Sequence, residues 1–124
     1  MPSSFRELKA WQRGHEVALE AHRITQRYSA LERYNLAAQI RRSATSIPAN
    51  IAEATGRFGL HGQIRFLHVA RGSARELEAH LLLVRDLGVV LPGDVDKLLP
   101  MLEETLRLVA GLITRRRKML GTQR

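Results

Sequence analysis

With 124 residues the chain has the length of one ordinary domain, enough to remove about two-thirds of its unfolded surface from water without covalent staples. It has no cysteine, so a disulfide framework and a thiolate metal site are both excluded and the redox compartment is left open. Twenty basic against twelve acidic residues give a formal net charge of +8, which favours polyanions, nucleic acid first among them. Because 17 of the 20 basic residues are arginine, a compositional bias accounts for the surplus as readily as a binding surface does.

Residues 1–8 carry charge and no apolar run of signal-peptide length, and no apolar segment approaches the roughly 20 residues of a membrane span. The expectation is a cytoplasmic protein with no membrane partner.

The first helix is expected over about 5–28, announced by Ser4 and Glu7 at capping-box spacing. Ala10, Trp11, Gly14, Val17, Ala18, Ala21, Ile24, Thr25 and Tyr28 then recur at three- and four-residue intervals and draw one apolar stripe. Ser29 and Glu32 repeat the capping-box spacing and predict a second helix over about 31–58. Its stripe is Leu36, Ile40, Ala44, Ile47, Ile51, Ala54 and Phe58. The phase continues across Pro48, which predicts a kink there instead of a stop.

Gly56, Gly59 and Gly62 mark a turn. A third helix is expected over about 61–87, on the heptad Phe66, Ala70, Ser73, Leu77, His80, Val84 and Leu87, flanked by Leu67, Ala74 and Leu81, with Gly88 as its terminator. Pro92 and Gly93 make the last turn. The fourth helix, over about 94–118, carries Val95, Leu98, Leu99, Leu102, Leu106, Val109, Leu112 and Ile113, and residues 119–124 are expected to fray. Four rods of similar length joined by short turns predict an all-α, antiparallel up-down-up-down four-helix bundle spanning residues 1–124 as a single domain.

A di-metal carboxylate bundle needs Glu-x-x-His pairs, and no glutamate here has histidine three residues on. His15 and His22, like His61 and His68, are seven apart, too far for shared coordination on one helix. The glycine turn lacks the Walker lysine and the dinucleotide spacing, and no Gly-x-Ser-x-Gly elbow exists. No catalytic residue, cofactor or metal site is therefore assigned.

Two polar stripes run beside the apolar ones. Ser46, Asn50, Glu53 and Arg57 lie on the second helix, and Arg71, Arg75 and Glu78 on the third. Charged groups at a core edge need partners, which predicts Glu53 pairing with Arg71 or Arg75 in an internal or subunit–subunit network; the functional reading of the same stripes is a ligand or RNA site.

Three segments carry a resemblance: LKAWQ at 8–12, QIRRSATSIPANIAEA at 39–54 and FLHVARGSARELE at 66–78. Together they resemble the four-helix-bundle proteins encoded in intervening sequences of bacterial 23S rRNA genes. The likeness spans nearly the whole chain, and the unbroken SIPANIAE is its most specific part. The chain departs from the family pattern at Ala54, where glycine is usual, and at Gly14, where a larger residue is common; both departures touch packing.

The resemblance implies a bundle assembling as a homopentamer, and a distant link to accessory proteins of diversity-generating retroelements, which bind nucleic acid and a reverse transcriptase. It leaves the biochemical role undefined. The leading reading is thus a non-enzymatic oligomer that engages RNA or DNA phosphates through Arg41, Arg42, Arg57, Arg65, Arg115, Arg116, Arg117 and Lys118. The alternative is a protein–protein assembly module without nucleic-acid binding, using the spare apolar positions Leu19, Val69, Leu82 and Leu83.

Overall fold

The structure, a computed structural model, describes residues 4–122. Its described residues form an all-α fold: a short 3-10 turn, Phe5–Glu7, precedes α1 (Lys9–Arg27), α2 (Ala30–Arg33), α3 (Leu36–Thr55), α4 (Leu60–Asp86) and α5 (Pro92–Thr122). Each of the four long helices packs on two others, α1 on α3 and α5, and α4 on α3 and α5. One continuous core lies between them, and its largest wholly buried side chains include Ile40, Ile47, Ile51, Leu67, Leu77, Leu81, Leu98 and Leu102.

On α1 the apolar stripe is buried as its spacing predicts: Ala10, Gly14, Val17, Ala18, Ala21, Ile24 and Thr25 face the core, with Trp11 and Tyr28 packed at its margin. A side-chain carbon added at Gly14 would stand 3.1 Å from Ile47 Cγ2, so glycine is what lets α1 and α3 approach here.

Several boundaries differ from the sequence expectation. Ser4 caps the 3-10 turn, its hydroxyl accepting from the Arg6 N–H, and α1 begins only at Lys9 after an extended Leu8. Ser29 makes no capping bond; the chain forms the single turn α2 and then reverses at Asn35, whose φ of 59° is left-handed, before α3 starts. Asparagine tolerates that conformation because its short polar side chain can bond locally.

The helix α3 runs through Pro48 but ends at Thr55, so Phe58 is fully exposed and not part of the stripe. Helix α4 ends in a Schellman motif: Gly88, at φ 75°, donates to the Arg85 carbonyl and Val89 donates to that of Val84. Pro92 opens α5 at the first helical position, where a missing N–H costs nothing. The helix persists to Thr122, beyond the expected end at 118; Gln123 and Arg124 lie outside the described residues.

The core seam of α4 is Leu67, Ala70, Ala74, Leu77, Leu81 and Val84. The expected heptad shares only Ala70, Leu77 and Val84 with it. Phe66, Ser73 and His80 lie one residue out of phase, partly buried on the flank, and Leu87 is exposed.

The buried hydroxyls of Thr25, Ser43 and Thr105 each donate to a carbonyl three or four residues back, so the core holds them without a polar cost.

Candidate nucleic-acid interface

The C-terminal turns of α5 lie against the N-terminal turns of α4 and the chain leaving α3. Gln63 joins all three: its Nε2 donates to the Arg57 carbonyl at 2.8 Å, and its Oε1 accepts from Arg116 Nε at 2.9 Å. Arg116 also donates to the Leu112 carbonyl at 3.2 Å. Burial, with a smaller contribution from neighbouring Arg115, pushes the Arg116 pKa down from its ordinary value. One residue on, Arg117 Nη2 donates to His68 Nε2 at 3.0 Å, which fixes that ring nitrogen as an acceptor.

Arg57 and Arg65 both lie over Phe66, with guanidinium carbons 4.5 and 5.4 Å from the ring centroid. Arg57 further pairs with Glu53 at 2.5 Å. Arg65, Arg115 and Lys118 are exposed and make no ion pair with any described residue. From Thr105 to Thr122 the helix α5 contains no acidic side chain, so this end of the molecule is strongly and openly cationic.

Of the eight predicted phosphate-binding residues, Arg57, Arg65, Arg115, Arg116, Arg117 and Lys118 share this end. Arg41 and Arg42 do not. Arg41 donates to Thr25 Oγ1 and to Glu32, both at 2.9 Å, and Arg42 pairs with Glu76 at 2.6 Å, so each already has a carboxylate partner. Gln63 and Phe66 were not foreseen as parts of the site; the only signal in the sequence is an aromatic residue immediately following Arg65.

The polar stripes stay apart. Ser46 Oγ meets Ser73 Oγ at 2.7 Å, and Asn50 Nδ2 donates to the carbonyl and hydroxyl of Ser46 at 2.7 and 2.9 Å. The expected pairing of Glu53 with Arg71 or Arg75 does not form: Glu53 takes Arg57, and Arg75 takes Glu78 at 3.1 Å and Glu103 at 4.0 Å. The reason is angular. Ser73 faces α3, and Arg71 and Arg75, each two residues away, point about 200° around the helix, toward α5.

On α4's flank toward α3, His80 Nε2 is buried without a hydrogen-bond partner, 3.7 Å from Glu76. Between α1 and α3 runs an apolar groove of about 460 Å³, whose lining of Phe5, Trp11, His15, Leu19, Ala49 and Ala52 among others contains no Lys, Arg, Asp or Glu. Trp11 stacks on His15 with centroids 4.7 Å apart and meets Phe5 edge-on at 5.1 Å.

A helical protein with a cationic end and an uncharged apolar groove is the class these features define. Residues 6–111 match the family described as 23S rRNA-intervening sequence protein, and the chain belongs to that family. Among solved structures, it is similar to a Bacteroides thetaiotaomicron protein described as of unknown function from the S23 ribosomal protein family. The two are 27% identical with a TM-score of 0.72, over 84% of this chain and 97% of the other. No curated protein matches. Among the described residues, no helix is long and apolar enough to cross a membrane.

Proposed function

We propose that this chain is a non-enzymatic, oligomeric protein that binds RNA or DNA through backbone phosphates at the end where α5 meets the start of α4. The observation that carries the reading is the set Arg65, Arg115, Arg117 and Lys118, cationic, gathered in one place and without a carboxylate partner. The half-buried Arg116 adds a cation whose charged form burial disfavours and an approaching anion would favour. Phe66 is covered by two arginines, so recognition rests on charge and shape instead of base stacking.

The up-down-up-down arrangement belongs to the same reading. Arg13–Glu104 and Arg27–Asp94 run in opposite order along α1 and α5, and Arg42–Glu76 and Ser46–Ser73 do so along α3 and α4.

Titration of labelled RNA and duplex DNA across a salt series tests the proposal. Binding should weaken steeply with salt. Replacing Arg115, Arg117 and Lys118 by Ala should flatten the log–log slope by about 2 to 3, at roughly 0.9 per duplex phosphate contact. No binding to either nucleic acid at low salt would refute it.

A second reading, assembly without nucleic acid, is favoured by the α1/α3 groove and by Leu19, Val69 and Leu83, which are 43, 45 and 47% exposed. In this second reading the assembly is taken to be a homopentamer, with a reverse transcriptase or another protein as a further partner, on the strength of the resemblance alone. Light scattering should then give a mass five times 14.0 kDa, lost on replacing Leu19 by Glu, and the salt titration would show no binding.

A further inference from the structure

The α4/α5 face holds a second cationic feature, outside the cluster described above. Arg71, Arg75 and Arg107 line a cleft of about 140 Å³ with Glu103, Leu106 and Ala110. Its charges do not balance. Arg75 is shared between Glu78 and Glu103, but neither Arg71 nor Arg107 makes an ion pair or hydrogen bond with any described residue. Two arginines without a carboxylate partner thus line one small opening, and an anion arriving there would find positive charge not already neutralised.

The size of the opening limits what that is. At about 30 Å³ per water it holds four or five, the scale of one phosphate group, and it lies well below the roughly 300 Å³ at which pockets for whole cofactors begin. A guanidinium fork matches the oxygens of a phosphate in geometry as well as in charge.

The cleft also lies on the two helices, α4 and α5, that carry the cationic end. Along α5, Arg107, Gly111, Arg115 and Lys118 follow four-, four- and three-residue steps and therefore share one face. Gly111 carries no side chain, and a carbon built on it would stand 3.5 Å from Arg115 Nη1. Along α4, His68, Arg71 and Arg75 share a face too, and His68 holds Arg117. From Arg107 to Arg115 is eight residues, or about 12 Å of helix, far enough apart for the two positions to meet different phosphates of one strand.

We infer that the α4/α5 cleft is a phosphate site for the same nucleic acid: Arg71 and Arg107 clamp a backbone phosphate further along the strand from those held by Arg115 and Lys118. This rests on the nucleic-acid reading of the cationic end and extends it into a track along α5. Arg107 does not follow from the sequence pattern at all, and Arg71 stands there in a polar stripe read chiefly as an internal or subunit–subunit network, with a ligand or RNA site as its other reading.

The test uses the full chain, a labelled RNA and a labelled duplex DNA of 20 base pairs each, and anisotropy from low to moderate salt. Arg71→Ala combined with Arg107→Ala should flatten the log–log salt slope by close to 1, at roughly 0.9 for the one duplex phosphate they hold, and weaken binding at least tenfold at moderate salt. Arg71→Lys combined with Arg107→Lys should keep the slope while losing several-fold in affinity, because charge remains and the fork does not. Arg41→Ala combined with Arg42→Ala, which removes already-paired cations, should change the slope least.

Unchanged slope and affinity in the Arg71/Arg107 alanine variant, in a protein whose slope collapses when Arg115, Arg117 and Lys118 are replaced, would overturn the inference and leave the cationic end as the whole interface. Absence of binding by the unaltered protein would overturn both. Thermal melts of the variants guard the comparison; both arginines are exposed, so each variant should melt within a few degrees of the parent.

Discussion

Replacing Gly14 by Ala sets two effects of similar size against each other, and the structure decides between them. In a helix interior the change ordinarily stabilises by about 1 kcal/mol, since glycine has more backbone freedom to lose. Here the new methyl would sit 3.1 Å from Ile47 Cγ2, 3.5 Å from Ile51 Cδ1 and 3.7 Å from the Pro48 nitrogen. Ordinary carbon contacts lie at about 3.5 to 4.0 Å, so the first is short by several tenths of an ångström.

Ile47 cannot swing clear. It is wholly buried, and a β-branched side chain in a helix has essentially one rotamer. Relief requires α1 and α3 to separate, and overpacking of that kind costs about 1 to 3 kcal/mol. The expected net is a loss of about 1 kcal/mol, or roughly 4 °C in Tm for a chain of this size.

The diagnostic is the double variant. Ile47→Ala removes Cγ2 at a cost of about 2 to 5 kcal/mol, and in that background Gly14→Ala should reverse sign and stabilise by about 1 kcal/mol. Chemical denaturation of the four proteins measures the cycle. Equal stabilisation by Gly14→Ala in both backgrounds would refute the close approach of α1 and α3.

Leu77→Ala, at a wholly buried seam position of α4, should cost about 2 to 5 kcal/mol in urea unfolding, whereas Ser73→Ala, one step off the seam, should cost about 1. Gly88→Ala should lose about 1 kcal/mol with no steric neighbour to blame, since nothing lies within 4 Å and only the φ of +75° is at stake. Gln63→Ala should lower stability by about 1 to 3 kcal/mol by leaving the half-buried Arg116 without its amide partner, and Gln63→Glu should recover only the part owed to Arg116, because a carboxylate cannot donate to the Arg57 carbonyl. Asp94 accepts from the Tyr28 hydroxyl and pairs with Arg27, and the Tyr28 bond first among these holds its pKa below the ordinary value. A depressed folded pKa means that the contribution is full above the unfolded value of about 4 and is lost as pH falls through the folded one. The stability gap between the parent and Asp94→Asn should therefore be flat from neutrality to about pH 5 and shrink below pH 4 in pH-dependent melts; a gap constant down to pH 2 would contradict the assignment.

How much of this was legible depended on whether the information was local. The α1 stripe could be read because small residues and valine alternate with charge at every turn. The α4 seam was misphased because Phe66–Leu67 offers an apolar residue at either of two adjacent positions, and choosing the larger moved the frame onto Ser73 and His80. Asn35 breaks the chain by adopting a left-handed φ that its neighbours in sequence do not announce. The cationic run at the end of α5 was plain, but its anchoring by Gln63, 53 positions from Arg116, lies beyond any periodicity argument. Arg71 was placed on the wrong side of α4 because proximity to an apolar stripe does not say which flank faces which neighbour.

The helix pairs α1/α3 and α4/α5 share no member, and their surfaces are chemically opposite. The α1/α3 groove is lined without a single formal charge, while the α4/α5 cleft is lined by three arginines and one glutamate. If copies of the chain associate through α1 and α3, every cationic track stays at the outside of the assembly and is repeated once per subunit. Linked weak sites then act as one strong site, because each phosphate contact after the first is effectively intramolecular. A monomeric variant such as Leu19→Glu should consequently retain the salt slope per bound chain but lose affinity by far more than the number of subunits. Measuring both quantities on one preparation separates a surface that binds nucleic acid by itself from one whose binding belongs to the assembly.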